Sequence, residues 1–327
     1  MKARAFAHTN IALIKYWGKR DLQFNLPATD SLSLTLKAFG TETEVSLHDG
    51  TEDELILNGE KASPTETQRV AQFLELVREQ SVHASKARVT SLNQVPTAAG
   101  LASSASAFAA LALAAVKAYE LDDTSTAQLS RLARQGSGSA ARSIFGGLVH
   151  MRRGTAADGH DALAYAIPNT SLQLGMLVVP CHQGPKAVSS TKGMTHTEQT
   201  SPYFESWCAT HDADMNQALN AIAENDFVAL GEAMEHSTLK MHATALTAKP
   251  GLWYWNAETW RVIESIQKSR SEECPFYFTM DAGPHVKVLV QQNQMDVIKQ
   301  KLCEALDRAP ENIWQSLPGG PARWMDV

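Results

Sequence analysis

The stretch PTAAGLASSASAFAALALAAV, residues 96–116, has no charged residue. It is compatible with three structures: a membrane span, a core helix, or a phosphate-binding loop that leads into a helix. It is long enough to span a bilayer, which takes about 20 apolar residues. Its small residues, with Pro96 and Gly100 near its start, argue against a membrane span. An Ala-rich core helix and a phosphate-binding loop that leads into a helix both remain, and from this stretch alone we predict the core helix.

Length, charge and cysteine content narrow the class of protein. A chain of 327 residues favours two domains, and its net charge of -6 argues against a nucleic-acid partner, which needs a basic face. The four cysteines lie far apart without a Cys-x-x-Cys pair, so we expect neither a disulfide framework nor a zinc site. No export signal is evident at the N-terminus, and we predict a cytoplasmic protein without a membrane partner.

Apolar spacing predicts several elements. Four apolar residues between Val70 and Val77 fall at i, i+3, i+4 and i+7, which indicates an amphipathic helix. The segments TETEVSLHD (41–49) and ELILNG (54–59) predict a hairpin, and CPFYFTMDAGPHVKVLV (274–290) predicts strand, turn and strand. The polar stretch around residues 181–194 is the predicted boundary, which gives domains 1–184 and 185–327.

A second segment suited to an anion is QGSGSAARSIFGG, residues 135–147. Ser137, Gly138 and Ser139 offer N–H groups and hydroxyls ahead of a helical turn. Arg142 follows, and its guanidinium has a fork geometry that suits a carboxylate or a phosphate. Taken alone, this segment favours an explanation without a ligand, namely a surface loop that carries a salt-bridged arginine. Two such segments in one chain favour an anion site.

Two further segments carry candidate chemistry. In AHTNIALIKYWGKRD (7–21), charged residues crowd around an apolar run. The segment is either an edge strand with solvated lysines or a site where the Tyr16 hydroxyl and the lysines hold a second phosphate group. In TMDAGPH (279–285), Asp281 follows an apolar run and precedes a turn, which is typical of both a catalytic group and a turn-forming residue. Its unperturbed pKa of roughly 4 would make it a weak base.

These segments, in this order and spacing, resemble the diphosphomevalonate decarboxylase family, within the superfamily of galactose, homoserine, mevalonate and phosphomevalonate kinases. The resemblance runs from about Ala5 to Val290, and VSSTKGM (188–194) and KMHATAL (240–246) are also similar to family segments. His285 departs from the family pattern, which usually has Asn there, and Lys192 lies in a variable part. The resemblance implies an α+β fold of two domains with the active site in the cleft between them. It also implies a left-handed β-α-β unit in the N-terminal domain and a ferredoxin-like α/β sandwich in the C-terminal domain. A left-handed β-α-β unit departs from the usual right-handed rule for such crossovers.

The resemblance implies a reaction as well. ATP and (R)-5-diphosphomevalonate would give isopentenyl diphosphate, ADP, phosphate and CO2 through phosphorylation of the C3 hydroxyl, with Mg²⁺ as the metal and a homodimer as the assembly. The alternatives are a phosphomevalonate decarboxylase, a kinase that phosphorylates C3 and stops, and a non-catalytic sensor of nucleotides or isoprenoids. A sensor is disfavoured because the chain keeps both Asp281 and Arg142.

The resemblance also implies roles for individual residues. Asp281 would orient or deprotonate the C3 hydroxyl, Arg142 would hold the substrate carboxylate, and Asn10 would fix this arginine. Ser190 would lie between the γ-phosphoryl group and the substrate. The residues implied for the substrate diphosphate are Tyr16, Lys19, Ser137, Gly138 and Ser139. Those implied for the ATP phosphates are Pro96, Ala99, Gly100, Leu101, Ala102, Ser103, Ser104 and Ser106, with Ser104 beside Mg²⁺. The opening stretch is therefore best interpreted as an ATP phosphate loop and the helix that follows it.

Overall fold

The computed structural model describes residues 1–94, 103–168, 171–182, 184 and 188–326. The described residues form an eight-stranded sheet, a four-stranded sheet and a two-stranded sheet, together with helices. The α+β fold class is confirmed. None of the helices in these ranges has the length and apolar character that crossing a membrane requires.

The elements have the following bounds. The strands are β1 (Lys2–Ile14), β2 (Lys19–Asp21), β3 (Leu26–Pro27), β4 (Ser31–His48), β5 (Glu54–Leu57), β6 (Glu60–Lys61), β7 (Lys86–Gln94), β8 (Leu148–Met151), β9 (Ala164–Ala166), β10 (Leu174–Val179), β11 (Tyr277–Met280), β12 (Val286–Gln291), β13 (Trp314–Ser316) and β14 (Arg323–Met325). The α-helices are α1 (Pro64–Arg78), α2 (Ser103–Ala118), α3 (Thr126–Gly136), α4 (Ala140–Ser143), α5 (Ser190–Thr200), α6 (Phe204–Glu224), α7 (Phe227–Leu246), α8 (Ala257–Ser269) and α9 (Met295–Leu306).

The eight-stranded sheet has the order β14-β1-β4-β7-β5-β6, with β8 added beside β4 and β9 beside β8. Strand β1 pairs antiparallel with β4 along most of its length, and β14 pairs with residues 4–6 on its other side. The interpretation of residues 7–21 as an edge strand with solvated lysines is wrong for Lys15, which is buried. The predicted hairpin is also wrong, because β7 lies between β4 and β5. Strands β5 and β7 pair in parallel with α1 between them in the chain, which supplies a β-α-β unit.

Helix α2 confirms the predicted core helix within residues 96–116. It packs against β1 and β4, and twelve of its sixteen residues are buried. Seven of these are alanines with no exposed surface or almost none, such as Ala109 and Ala112. Because a methyl side chain lets the sheet approach the helix backbone closely, the alanines have a structural reason that is independent of any ligand.

The four-stranded sheet has the order β11-β12-β10-β13 and is antiparallel throughout. Residues 274–290 form the predicted strand, turn and strand. Phe278 and Met280 point into a core shared with α8 and α9. The alternate residues Tyr277 and Thr279 point to the opposite face, towards α7. Asp281 follows directly after β11, at the end of this sheet.

The end of the chain returns to the first sheet. The four-stranded sheet consists of the consecutive strands β10 to β13, whereas β14, which follows them, completes the eight-stranded sheet. Between β13 and β14, the N–H of Gly319 donates to the Thr35 carbonyl, and its own carbonyl accepts from the N–H of Gly147. The predicted domain ranges, 1–184 and 185–327, stay a prediction.

A buried ion pair holds α1 against the sheet and gives a test of stability. Arg78 donates to both oxygens of Asp53 at 3.0 and 2.8 Å, and these side chains are 6% and 2% exposed. Asp53→Asn should lower the free energy of unfolding in urea by about 2 kcal/mol, because the buried guanidinium loses a charged partner and keeps Glu75, whose side chain is 56% exposed. Glu54→Gln is the matched control, since the Glu54–Arg88 pair is exposed to solvent and its loss should change the free energy of unfolding much less. Equal losses in the two variants would contradict this account.

Candidate active site

A cleft of about 990 Å³ brings the predicted segments together. Its walls come from the end of β1, helix α1, the first turn of α2, the 135–142 segment, the start of α5 and the residue after β11. The predicted site residues that line it are Asn10, Tyr16, Lys19, Ser103, Ser104, Ser137, Gly138, Ser139, Arg142, Ser190 and Asp281. Asp281 and Arg142 thus face the same cleft although they are far apart in the sequence.

Of the remaining predicted residues, Ser106 is the one that the structure describes, and it does not line the cleft. Pro96, Ala99, Gly100, Leu101 and Ala102 lie outside the described residues. Ser106 is fully buried within α2, and its hydroxyl lies 2.7 Å from that of Thr41 and accepts a hydrogen bond from that of Thr9 at 3.3 Å. Because these protein groups already occupy the hydroxyl, we do not carry Ser106 forward as a phosphate ligand.

The carboxylate of Asp281 lies between two buried ammonium groups. Lys15 Nζ donates to Oδ1 at 2.9 Å, and Lys287 Nζ lies 3.4 Å from Oδ2. Both lysine side chains are 1% exposed, whereas that of Asp281 is 29% exposed. Burial alone would raise the pKa of Asp281, but the two ammonium groups outweigh burial and hold this pKa well below its usual range. The cleft therefore presents an ionised carboxylate with its cations behind it.

Lys15 is fixed from several sides at the end of β1. Its ammonium also donates to the Ala12 carbonyl at 2.9 Å, and its backbone N–H donates to the Ser237 hydroxyl on α7 at 3.0 Å. Burial lowers the pKa of Lys15 to about 8, although Asp281 opposes the shift. One of the two interpretations of residues 7–21 had the Tyr16 hydroxyl and the lysines hold a second phosphate group. In the structure the Lys15 ammonium pairs with Asp281.

Arg142 is buried in the short helix α4 and is held by neutral groups. Its Nη1 donates to the Ser31 hydroxyl at 2.6 Å, and its Nε donates to Asn10 Oδ1 at 3.3 Å. The Asn10 amide in turn donates to the Ser143 hydroxyl at 2.7 Å, which fixes its orientation. Within the described ranges no carboxylate pairs with Arg142, so the salt-bridged interpretation of this arginine is wrong. Burial lowers the pKa of Arg142 to about 10, so it is still charged at neutral pH.

The floor of the cleft thus has an excess of positive charge. Lys15, Lys287 and Arg142 are buried there around one carboxylate, Asp281. His242 on α7 lies close by, but burial lowers its pKa to about 3 and keeps it neutral. Buried positive charge is costly unless an anion compensates it. This arrangement therefore favours an anionic ligand directly beside Asp281.

The outer part of the cleft has a second group of donors. The Tyr16 hydroxyl is buried and has no hydrogen-bond partner among the described residues. A Cβ on Gly138 would lie 2.3 Å from this hydroxyl, so only glycine allows the close approach. Lys19 lies nearby, and burial, with Arg69 as a second cause, lowers its pKa. This region therefore offers a polar ligand one free hydroxyl, that of Tyr16, and two cations, Lys19 and Arg69.

The first turns of two helices complete the lining. Ser103 and Ser104 begin α2, and the Ser137 hydroxyl donates to that of Ser104 at 3.4 Å. Ser190 begins α5, where the N-cap Ser189 accepts from the N–H of Lys192. The N-terminus of a helix favours anions because its N–H groups and dipole point there.

Sequence reasoning missed two cations of this site. Lys287 is the only charged residue in the strand VKVLVQ, and a lone lysine in a buried strand is a signal that could have identified it. Arg69 gave no comparable signal, because a polar residue on an amphipathic helix is ordinary. It lines the cleft and donates to the Gly136 carbonyl at 2.8 Å.

Comparison with known families agrees with this geometry. Residues 7–164 match the family model described as "Diphosphomevalonate decarboxylase-like N-terminal domain". Residues 176–319 match the one described as "Mevalonate 5-diphosphate decarboxylase C-terminal domain". All the described residues that line the cleft fall within one of these two matches.

Individual relatives agree with the family models. The chain is 39% identical to the diphosphomevalonate decarboxylase of Saccharomyces cerevisiae, over 86% of this chain and 76% of the relative. It is 31% identical to a phosphomevalonate decarboxylase of Haloferax volcanii, over 100% of this chain and 98% of the relative. A solved structure, MDDEF in complex with MVAPP, AMPPCP and magnesium, has a TM-score of 0.94 at 43% identity and covers 100% of this chain and 99% of its own. The cleft, the family models and the relatives lead to one conclusion: the chain belongs to the diphosphomevalonate decarboxylase family.

Proposed function

We propose that this chain catalyses the ATP-dependent decarboxylation of (R)-5-diphosphomevalonate to isopentenyl diphosphate, with release of ADP, phosphate and CO2. The observation that carries the proposal is the cleft floor, where Asp281 is ionised and Arg142 is buried without an anionic partner in the described part of the chain. The substrate has a carboxylate, a tertiary hydroxyl and a diphosphate, and the cleft has separate groups for each of them. Relatives that share the fold are named for this reaction.

At the floor of the cleft, Arg142 binds the substrate carboxylate through its guanidinium fork. Asn10 and Ser31 orient the guanidinium, because each accepts one of its N–H groups. Asp281 accepts a hydrogen bond from the C3 hydroxyl and directs its oxygen towards the γ-phosphorus of ATP. Lys15 lies beside Asp281 and stabilises negative charge on the transferred group.

The outer cleft holds the diphosphate. Tyr16 donates its free hydroxyl, Lys19 and Arg69 supply positive charge, and Ser137–Ser139 contribute N–H groups and hydroxyls. The diphosphate does not react. Its binding energy therefore serves to position C3 and the carboxylate against Asp281 and Arg142.

The reaction proceeds in three bond changes. The C3 hydroxyl oxygen bonds to the γ-phosphorus as the bond to the β–γ bridging oxygen breaks, which yields ADP, and the hydroxyl proton ends on the phosphate that is released in the next step. The C3–O bond then breaks, and phosphate leaves with the electron pair. Finally the C1–C2 bond breaks, CO2 departs, and its electron pair forms the double bond between C2 and C3. Positioning and charge neutralisation dominate such a phosphoryl transfer, and both are properties of this cleft.

ATP binds with its phosphates near the N-terminus of α2, where Ser103 and Ser104 line the cleft. The described residues include no cluster of His, Cys, Asp or Glu that could bind a metal alone. This composition fits Mg²⁺, which prefers oxygen ligands and is commonly held by substrate phosphates and water with few protein ligands. The Ser104 hydroxyl is the oxygen that the protein would add. Bound Mg²⁺ would neutralise charge on the phosphates.

A phosphomevalonate decarboxylase is the second candidate, and the Haloferax volcanii relative favours it. The two substrates differ by one phosphoryl group at the outer end. Lys19 and Arg69 at that end favour the diphosphate, because each can neutralise part of the additional charge.

The proposal extends to location and assembly. Cys181, Cys208, Cys274 and Cys303 are all free, which supports a reducing compartment such as the cytosol. The homodimer rests on the resemblance to the family alone.

The direct test of function is an assay with ATP, Mg²⁺ and diphosphomevalonate in which phosphate and CO2 are measured together. We expect the two products in equal amounts, with kcat/KM for diphosphomevalonate above that for phosphomevalonate. A higher kcat/KM for phosphomevalonate would favour the second candidate. ADP without CO2 would indicate a kinase, and no turnover with either substrate would refute the proposal.

Removing the carboxylate of the cleft floor should abolish most of the turnover. Asp281→Asn should lower kcat by about 10³-fold, because the amide cannot accept and orient the hydroxyl as an anion does. Binding of a fluorescent ATP analogue should remain nearly unchanged, since Asp281 is assigned to the other substrate. Turnover near that of the unmodified protein would rule out this role.

Arg142→Ala should affect the acid substrate selectively. We expect KM for diphosphomevalonate to rise by about tenfold to a hundredfold, because a charge-assisted hydrogen-bonded contact is lost. ATP affinity should stay close to its original value. Arg153→Ala is the control, since Arg153 is 39% exposed and pairs with Asp212 at the surface. A loss of ATP affinity alone would show that Arg142 is wrongly placed.

A further inference from the structure

Lys287 occupies an unusual place for a lysine. It lies in β12 between Val286 and Val288, which are both fully buried, and its own side chain is 1% exposed. The ammonium lies 3.4 Å from Asp281 Oδ2 and donates to the His285 carbonyl at 3.4 Å. A buried lysine in an apolar strand is costly unless it has partners. Its partners here are at the two ends of the turn 281–285.

The register of the sheet explains how the side chain reaches this turn. Lys287 is opposite Thr279 of β11, so the two side chains share one face of the sheet. The Thr279 hydroxyl donates to the Ala12 carbonyl near the end of β1. The same carbonyl accepts from Lys15 Nζ at 2.9 Å. The two lysines therefore approach Asp281 from different sheets.

We propose that Lys287 is a positioning residue for the reaction, which clamps the Asp281 carboxylate together with Lys15 and closes the turn through the His285 carbonyl. Each lysine is paired with a different carboxylate oxygen, so the pair fixes the plane of the carboxylate and its ionised state. Lys287 lies behind Asp281 and acts through it. The consequence for turnover rests on the proposed function, whereas the clamp itself is a property of the protein without ligands.

The charged and titratable groups that face this carboxylate come from four elements. They are Lys15 after β1, Lys287 on β12, Arg142 on α4 and His242 on α7. Removal of the Lys287 charge should raise the pKa of Asp281, because one opposite charge is lost. It should also raise the pKa of Lys15, because one like charge is lost. In a profile of kcat against pH, the acid limb follows the Asp281 pKa and the alkaline limb follows the Lys15 pKa. Both limbs should therefore move to higher pH.

The first test uses the protein without ligands, labelled with ¹³C at the aspartate carboxyl carbons and titrated by NMR. Asp281→Asn assigns the Asp281 signal. We expect Lys287→Met to raise the pKa of Asp281 by about one unit or more, and Lys287→Arg to raise it less. Lys287→Gln keeps a donor for the His285 carbonyl without the charge, so it should raise the pKa as Lys287→Met does, and it replaces that variant if Lys287→Met does not fold. An unchanged Asp281 pKa in a folded neutral variant would overturn the proposal.

The second test follows kcat against pH for the same variants. The acid limb should move upward with the Asp281 pKa, KM for ATP should change little, and Lys287→Arg should restore most of the profile. Lys268→Met, at an exposed ion pair on α8, is the surface control and should change neither measurement. A raised Asp281 pKa without movement of the acid limb would overturn the positioning role. If the unmodified protein does not decarboxylate diphosphomevalonate, the proposed function fails, and the NMR titration still decides whether the clamp exists.

Discussion

The contact on which this structure depends is that of one carboxylate with two buried ammonium groups. Lys15 follows β1 of the eight-stranded sheet, Lys287 belongs to β12 of the four-stranded sheet, and both reach Asp281. The contact therefore joins the two sheets at the floor of the cleft. Because Arg142 adds a third buried cation there, the floor lacks one or more negative charges that a ligand can supply. The contact thus joins the two sheets, whereas the remaining excess of positive charge opposes folding without a ligand and favours the binding of an anion.

The residues around the floor of the cleft leave its excess positive charge accessible to a ligand. Neutral groups, Asn10 and Ser31, hold Arg142 without cancelling its charge. At the outer end, glycine at position 138 lets the Tyr16 hydroxyl approach the 137–139 segment, and the alanines of α2 let the helix lie close on the sheet. Small and neutral residues therefore create room and leave donors free, whereas larger or acidic residues at these places would fill the cleft or neutralise it.

Local patterns in the sequence correctly predicted the helices and strands that depend on the spacing of neighbouring apolar residues. The helix around Val70–Val77, the core helix within residues 96–116 and the strands of 274–290 are all present. The predicted hairpin failed because β5 pairs in parallel with β7, a contact between distant segments that no local alternation can indicate. The addition of β14 to the first sheet is of the same kind.

Motifs in the sequence predicted single residues of the candidate site but not the contacts between them. The resemblance named Asp281 and Arg142, and both line the cleft. It did not indicate which cation faces which anion, because the pairing of Lys15 with Asp281 joins residues 266 positions apart. The burial of Ser106 depended on which side of α2 faces the sheet, which motif matching does not report.

The most direct test of the account is a crystal structure of this protein with diphosphomevalonate, a non-hydrolysable ATP analogue and Mg²⁺. The account predicts that the substrate carboxylate lies within hydrogen-bond distance of Arg142 and that the C3 hydroxyl donates to Asp281, with both lysines still paired to that carboxylate. A substrate bound with its carboxylate in the outer cleft beside Lys19, or an Asp281 side chain turned away from C3, would contradict it.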